Sequence, residues 1–361
     1  MPPVTLTIGT VKGLFLATSD DSRSRWSIEG PLMKGWDIKD VAIDRRGPEP
    51  RLLAAVNSYV YGATVLASSD LGRTWESAGE PPRFAPDAQR KVNAIWKVTP
   101  AHAVHPGVLY AGVDEGGLFR SGDNGASWQE VTSLNDHPTR SGWCPGAGGL
   151  CLHTIIQSPS DPARLWIGIS AVGVFRTDDA GETWKICNEG IRKMIDSQDH
   201  AGIGFCPHGL CLHPENSDIL YRQDHAGLYR SLDAADSWEH IAGDIPTEFG
   251  FPIVADRATG AVFIVPLEKD EYRFTLDGKL RVYRSAKGDA QWEPLTNGLP
   301  QENAWETILR NAMDGDGLDR GGIYFGTTSG RVYASADAGE SWSCLPAIFP
   351  RVQSVTAFAH L

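Results

Sequence analysis

SSDLGRTW (residues 68–75), SGDNGASW (121–128), TDDAGETW (177–184) and SADAGESW (335–342) are four renderings of one eight-residue phrase. Looser copies read SLDAADSW (231–238) and SDDSRSRW (19–26), and SAKGDAQW (285–292) is eroded, with Lys287 and Asp289 where the Asp and the Gly belong. The closing Trp falls at positions 26, 75, 128, 184, 238, 292 and 342, a spacing of 49 to 56 residues. That period belongs to propellers and arrays. An apolar run such as GLFRS (117–121) or GVFRT (173–177) leads into the phrase, and a short strand begins at the Trp. The phrase therefore reads as a hairpin corner: the Asp accepts bonds from N–H groups of its own turn, the Gly supplies positive φ, and the Trp buries its ring between sheets.

The pattern S/T-x-D-x-G-x-T/S-W resembles the Asp-box of bacterial-neuraminidase (BNR) repeats, found in sialidases, sortilin-type receptors and photosystem II assembly factors. The resemblance runs the length of the chain. It implies an all-β fold, a seven-bladed β-propeller of four-stranded antiparallel blades, with the boxes on the face opposite the usual binding site. Sialidases grip a carboxylate with three Arg, the first in an F/Y-R-I-P motif near the N-terminus, where this chain has TIGTVKGLF (7–15). No Tyr-Glu nucleophile pair can be matched by position either, so true sialidase activity is not expected.

The 361 residues could form two domains on length alone, but an end-to-end repeat argues for one domain, 1–361. A net charge of −12 gives no electrostatic reason to expect nucleic acid or an anionic membrane as partner. No apolar run approaches a membrane span, and MPPVTLTIGT lacks the regions of a signal peptide, so a cytoplasmic protein with reduced thiols is expected.

Two strands (5–9 and 13–18) precede the first box, whereas later repeats hold four: an inner strand, a second, a third ending in the box, and an outer one. The first blade thus lacks its inner strand, and VQSVTAFAHL (352–361) is an apolar strand without partners of its own. The C-terminal strand should join the N-terminal blade and close the ring. The other inner strands are expected near 38–43, 92–98, 150–157, 209–213, 251–255 and 303–310.

This topology puts the long segments 132–149, 188–208 and 266–278 on the face opposite the boxes, where function concentrates on loops of a rigid scaffold. The first carries His137, Arg140 and Trp143 ahead of GGLCLH, which sets His153 in an inner strand. The second carries Arg192, Asp199, His200 and His208 ahead of CLHP, which sets His213 at the equivalent place, and the turn YRQDHAG adds Asp224 and His225. His137, His208 and His225 are candidate bases and Arg140 the candidate cation for an anionic or hydroxyl-rich group. Trp143, Trp36, Asn57, Tyr59, Arg192, Asp224 and Glu302 are candidate substrate contacts. Asp114 and Glu115 form an acidic pair in a turn, either a solvated corner or, with a raised pKa, a general acid. Phe249 and Phe251 stand at the rim. No cofactor motif is present and no spacing supports a metal. The expected partner is a small-molecule or carbohydrate ligand. Two functions follow: a carbohydrate-active or other small-molecule hydrolase or lyase, or a non-catalytic binding or assembly scaffold with a protein partner.

Overall fold

In the computed structural model, which describes residues 2–193 and 201–360, the repeated phrase folds the same way five times. Asp70 Oδ1 accepts the Thr74 backbone N–H (2.9 Å) and Oδ2 the Thr74 hydroxyl (2.6 Å), while the Ser68 hydroxyl donates to Asp70 and accepts the Gly72 N–H (2.8 Å each). Asp123, Asp179, Asp233 and Asp337 repeat the pattern. The two residues after the Asp are both left-handed, Leu71 at φ 59° and Gly72 at 92°. In the looser copy Ala234 (60°) and Ala235 (74°) carry that strain without a glycine. These bonds, led by the Ser or Thr hydroxyl, hold the carboxyls of Asp70, Asp123 and Asp179 at about 2.

The first copy is shifted by one residue. There Asp20, rather than Asp21, accepts the N–H groups of Ser24 (2.9 Å) and Arg25 (3.3 Å). Two of the Trp rings reach back to the preceding repeat, Trp292 Nε1 donating to the Ile241 carbonyl (2.7 Å) and Trp184 Nε1 to the Ser133 hydroxyl (3.2 Å), whereas Trp75 Nε1 donates within its own turn to the Gly72 carbonyl (2.8 Å).

Seven four-stranded antiparallel sheets, with almost no helix among the described residues, make the fold a seven-bladed β-propeller. Blade one consists of the final strand, Val352–Ala359, then Val4–Thr10, Gly13–Ser19 and Trp26–Leu32. Its closing register runs from Val4↔Ala359 to Thr10↔Val352. The inner strands of blades two to seven are Asp37–Asp44, Ile95–Pro100, Leu152–Gln157, Pro207–His213, Gly250–Ala255 and Met313–Gly315.

The last of these corrects the expectation of a strand at 303–310. That stretch is instead held by the insertion before it: Thr275 N donates to Glu306 O (3.0 Å) and Ala304 N to Gly278 O (2.8 Å). Asn311 then bridges to Ser354 and Met313–Gly315 takes the inner position.

The chain divides into two compact units. One, Gly35–Glu189 with Lys193–Pro207, holds blades two to four, whose inner strands lie side by side over a core that includes Leu53, Ile95, Phe119, Ile167 and Phe175. The other, Met1–Lys34, Gly190–Arg192 and His208–Leu361, holds blades five to seven and blade one, around Leu6, Ile8, Phe263, Phe325 and Val355. In both, the second strands, Leu109–Val113, Leu165–Ile169, Val262–Pro266 and Ile323–Gly326, are buried at every position, which is why they read as short apolar runs.

Candidate functional site

In the three-blade unit, each inner strand starts beside the end of its second strand: Asp37 pairs Asn57, Ile95 pairs Val113 and Leu152 pairs Ile169. Asn57 locks blade two to blade three at this edge, accepting the Ile95 N–H (2.9 Å) and donating to the Ile95 carbonyl (3.3 Å). The buried amide expected to meet substrate is thus engaged with backbone.

Asp114 is the first residue past its strand. Its N–H donates to Ala94 O (3.0 Å), and the half-buried side chain receives the Trp96 indole N–H on Oδ1. Burial pushes the Asp114 carboxyl above the usual range, against the pull of Trp96 and Lys39, while the neighbouring Glu115 charge adds to the rise. Lys39 Nζ lies 4.9 Å from the Trp96 ring centre and 2.9 Å from the Asp37 carboxylate. A carboxyl raised in this way can hold a proton to give away.

Next to it, a four-residue helix, Thr132–Asn135, and a 3-10 turn, Arg140–Gly142, shape the 132–149 insertion. Arg140 Nη2 donates to the Glu115 carbonyl, and the guanidinium lies 4.7 Å from the Trp143 ring. Its Nη1 is buried with no hydrogen-bond partner among the described residues, and desolvation, then Arg90, push the group down to about 10. A cation so poorly satisfied favours an incoming oxygen acceptor. Trp143 is buried and donates to Thr139 Oγ1 (3.0 Å). His137 Nδ1 accepts the Thr139 N–H (3.2 Å), its ring meets Phe175 edge-on at 5.2 Å, and burial lowers its pKa, favouring the neutral form. Trp36 stacks on Tyr61 (5.9 Å, 18° between planes), and Tyr59 is 99% exposed at the tip of the same turn.

The remaining candidates fall in the four-blade unit. His208 is buried, its Nδ1 donating to Gly250 O (2.6 Å), among Phe249, Phe251 and His225. His225 Nε2 stands 3.2 Å from Asp270. Asp224 is fully buried and bound by Arg222 Nε (2.8 Å) and the Ala226 N–H (3.2 Å), so its carboxylate braces a strand end. Arg192 lies 3.3 Å from Glu248 and 2.8 Å from His240 Nε2. Glu302 is exposed. Trp36, Asn57, Tyr59, His137, Arg140 and Trp143 thus belong to one unit and Arg192, His208, Asp224, His225 and Glu302 to the other, while Asp199 and His200 lie outside the described residues. Of the core histidines, His153 is buried, with Nε2 3.0 Å from Pro207 O, and His213 accepts the Glu215 N–H (3.2 Å). Sequence reasoning missed Lys39, Trp96 and Asp270; a Trp opening an inner strand opposite a turn Asp was the signal available for the first two.

No protein-family model matches the chain. It is 25% identical over 207 residues to a probable oligoxyloglucan-reducing end-specific xyloglucanase of Neosartorya fischeri and 24% identical over 218 residues to a xyloglucanase of a Paenibacillus species. These alignments take in 55% and 54% of this chain but 22% and 20% of those proteins, so the chain spans about a fifth of the curated relatives it matches. The crystal structure of an ancestral GH74 enzyme superposes with a TM-score of 0.59 at 15% identity, over 85% of this chain and 38% of that one. YCF48 from Cyanidioschyzon merolae gives 0.55 at 13% identity, over 91% and 97%. The structural likenesses are likenesses of fold.

Proposed function

We propose that the protein is a carbohydrate-active propeller, a glycosidase-like hydrolase or lyase, with Asp114 as its general acid. The observation that carries this reading is the half-buried Asp114 carboxyl, raised by desolvation and held by Trp96, at an edge that also presents Arg140 and the Trp36–Tyr61 stack. The xyloglucanase relatives support the substrate class, and the recurring Asp-centred turn supports a place among Asp-box propellers.

The chemistry follows from the hydrogen bonds. The indole N–H occupies Oδ1, so the proton of the neutral carboxyl rides on Oδ2, from which it can pass to a glycosidic oxygen. Aromatic faces such as Trp36 suit the apolar faces of sugar rings. Burial drives His137 toward its neutral form, with its Nδ1 lone pair accepting the Thr139 N–H.

The test is product release from a panel of xyloglucan oligosaccharides, other β-glucans and uronate-containing glycans. Asp114→Asn should lower turnover by about 10²–10⁴-fold without lowering the melting temperature. Activity that survives this substitution removes Asp114 from the mechanism, and a panel with neither turnover nor binding removes the carbohydrate reading.

One observation favours the second reading, a non-catalytic scaffold. Tyr59, Val60 and Tyr61 project an apolar loop tip, 99%, 60% and 79% exposed. Such a patch suits a protein partner. Should the glycans fail, a Tyr59→Ser/Tyr61→Ser variant that loses a co-purifying protein would establish the scaffold.

A further inference from the structure

We infer that the four-blade unit carries a binding platform for an uncharged oligosaccharide, built on Trp305 with Phe274 and Tyr272 beside it. The ligand class rests on the carbohydrate reading, whose acid, Asp114, belongs to the other unit. Trp305 is 57% exposed and Tyr272 50%. Phe274 joins them, meeting Trp305 at 5.1 Å and 83° and stacking on Tyr272 at 5.8 Å and 21°.

An exposed indole gains little from folding, yet this one is held on both sides. Ala304 N donates to Gly278 O (2.8 Å), and Ala304 O accepts the Thr275 hydroxyl. Thr275 N donates to Glu306 O (3.0 Å), and Thr275 Oγ1 accepts the Glu306 N–H (3.4 Å). The Thr307 hydroxyl adds a bond to the Arg273 carbonyl. The ring itself has a seat. A Cβ on Gly278 would stand 3.1 Å from Cζ2, 3.2 Å from Cε2 and 3.3 Å from Cη2 of Trp305. Adjacent ring atoms at nearly equal range place the glycine under a face of the indole, where a larger residue would lift the ring. Gly278 is left-handed (φ 63°), and so, in the same two segments, are Arg273 (56°), Asp277 (57°) and Asn303 (53°). Strain of this kind clusters at ligand clamps.

A pyranose presents a C–H face that stacks on an aromatic ring and a rim of hydroxyls that needs donors and acceptors. Trp305 Nε1 and the exposed side chains of Glu302 and Asn303 make no hydrogen bond among the described residues, so both kinds of partner stand unused beside the ring in the chain. Carboxylates at Asp277 and Glu302 repel a uronate or a phosphate, hence an uncharged ligand. A standard protein interface takes roughly 800 Å² from each partner around an apolar centre. Exposed Lys269, Asp270, Glu271, Asp277, Glu302 and Asn303 leave these rings no such surround.

The experiment is calorimetric titration of the whole chain with cellohexaose, a xyloglucan oligosaccharide and, as charged control, polygalacturonate, in Asp114→Asn so that the ligand is not consumed. Adding Trp305→Ala, at an exposed position where folding is retained, should lower affinity for the neutral glycans at least tenfold. Trp305→Phe, which keeps a flat ring, should recover part of the loss. No binding of either neutral glycan, equal affinity after Trp305→Ala, or a loss confined to polygalacturonate overturns the platform. The two readings fail separately. Turnover by wild type with binding indifferent to Trp305 removes the platform and leaves Asp114, whereas Trp305-dependent binding by a wild type that turns nothing over removes Asp114 and leaves the platform.

Discussion

Arg23→Met removes one half of an ion pair that joins blade one to blade seven. Arg23 Nη1 lies 2.6 Å from Asp316 Oδ2, with side-chain exposures of 1% and 0%, and Nη2 donates to the Ala336 carbonyl (3.0 Å). Breaking a buried pair by removing one partner costs about 3–5 kcal/mol, because the other charge is left without compensation. Here Asp316 retains the Tyr324 hydroxyl (2.8 Å) and the N–H groups of Leu318 (2.9 Å) and Gly322 (3.0 Å), which argues for the lower part of that range. The orphaned Ala336 carbonyl adds about 1 kcal/mol. The expected loss is therefore about 4 kcal/mol, or roughly 8–16 °C in melting temperature at about 2–4 °C per kcal/mol. Thermal unfolding followed by circular dichroism at neutral pH measures it. Arg23→Met/Asp316→Asn should recover most of the loss, since no buried charge then remains. A single variant within 1 kcal/mol of wild type, or a double variant no better than the single, refutes the reasoning.

Asp123 is held at about 2 against an ordinary 3.8, so its contribution to stability is complete above the ordinary value and is lost as pH falls through the folded one; the melting difference between wild type and Asp123→Asn should be constant from pH 7 to about 5 and vanish near 2. Deleting residues 352–361 strips blade one of its inner strand, and the product should elute as aggregate in size exclusion; a monomer with wild-type melting would contradict the closure. Trp36→Ala should weaken binding of an oligosaccharide that the wild type binds at least tenfold, measured by calorimetry, while melting stays within about 2 °C; equal affinity would remove Trp36 from the site.

What the sequence made legible is what local chemistry decides. The Asp turn closes through partners four residues away, so four copies could be read directly and a fifth, 231–238, in looser form, and an unpartnered apolar strand at the end of the chain pointed to closure. The strand expected at 303–310 failed because Thr275 and Gly278, from an earlier insertion, capture Ala304 and Glu306. No periodicity records a capture of that kind. The same holds for the site. Asn57 and Asp224 carry the right functional groups, yet Ile95 and Arg222 engage them across strands. Asp114 was visible as a turn acid, but its raised pKa depends on burial beside an indole eighteen residues earlier in the chain.

The closing register also sets a clock. Val4–Thr10 is buried at every position, yet its inner partner, Val352–Ala359, is made only after the six intervening blades. At about 5–20 residues per second, a ribosome takes roughly 20–70 s to supply it. Throughout that interval the first strand offers an unpaired apolar edge, the surface on which chains misassemble. Blade one is thus begun long before it can be completed, and a chaperone that shields nascent β edges would have a long engagement there.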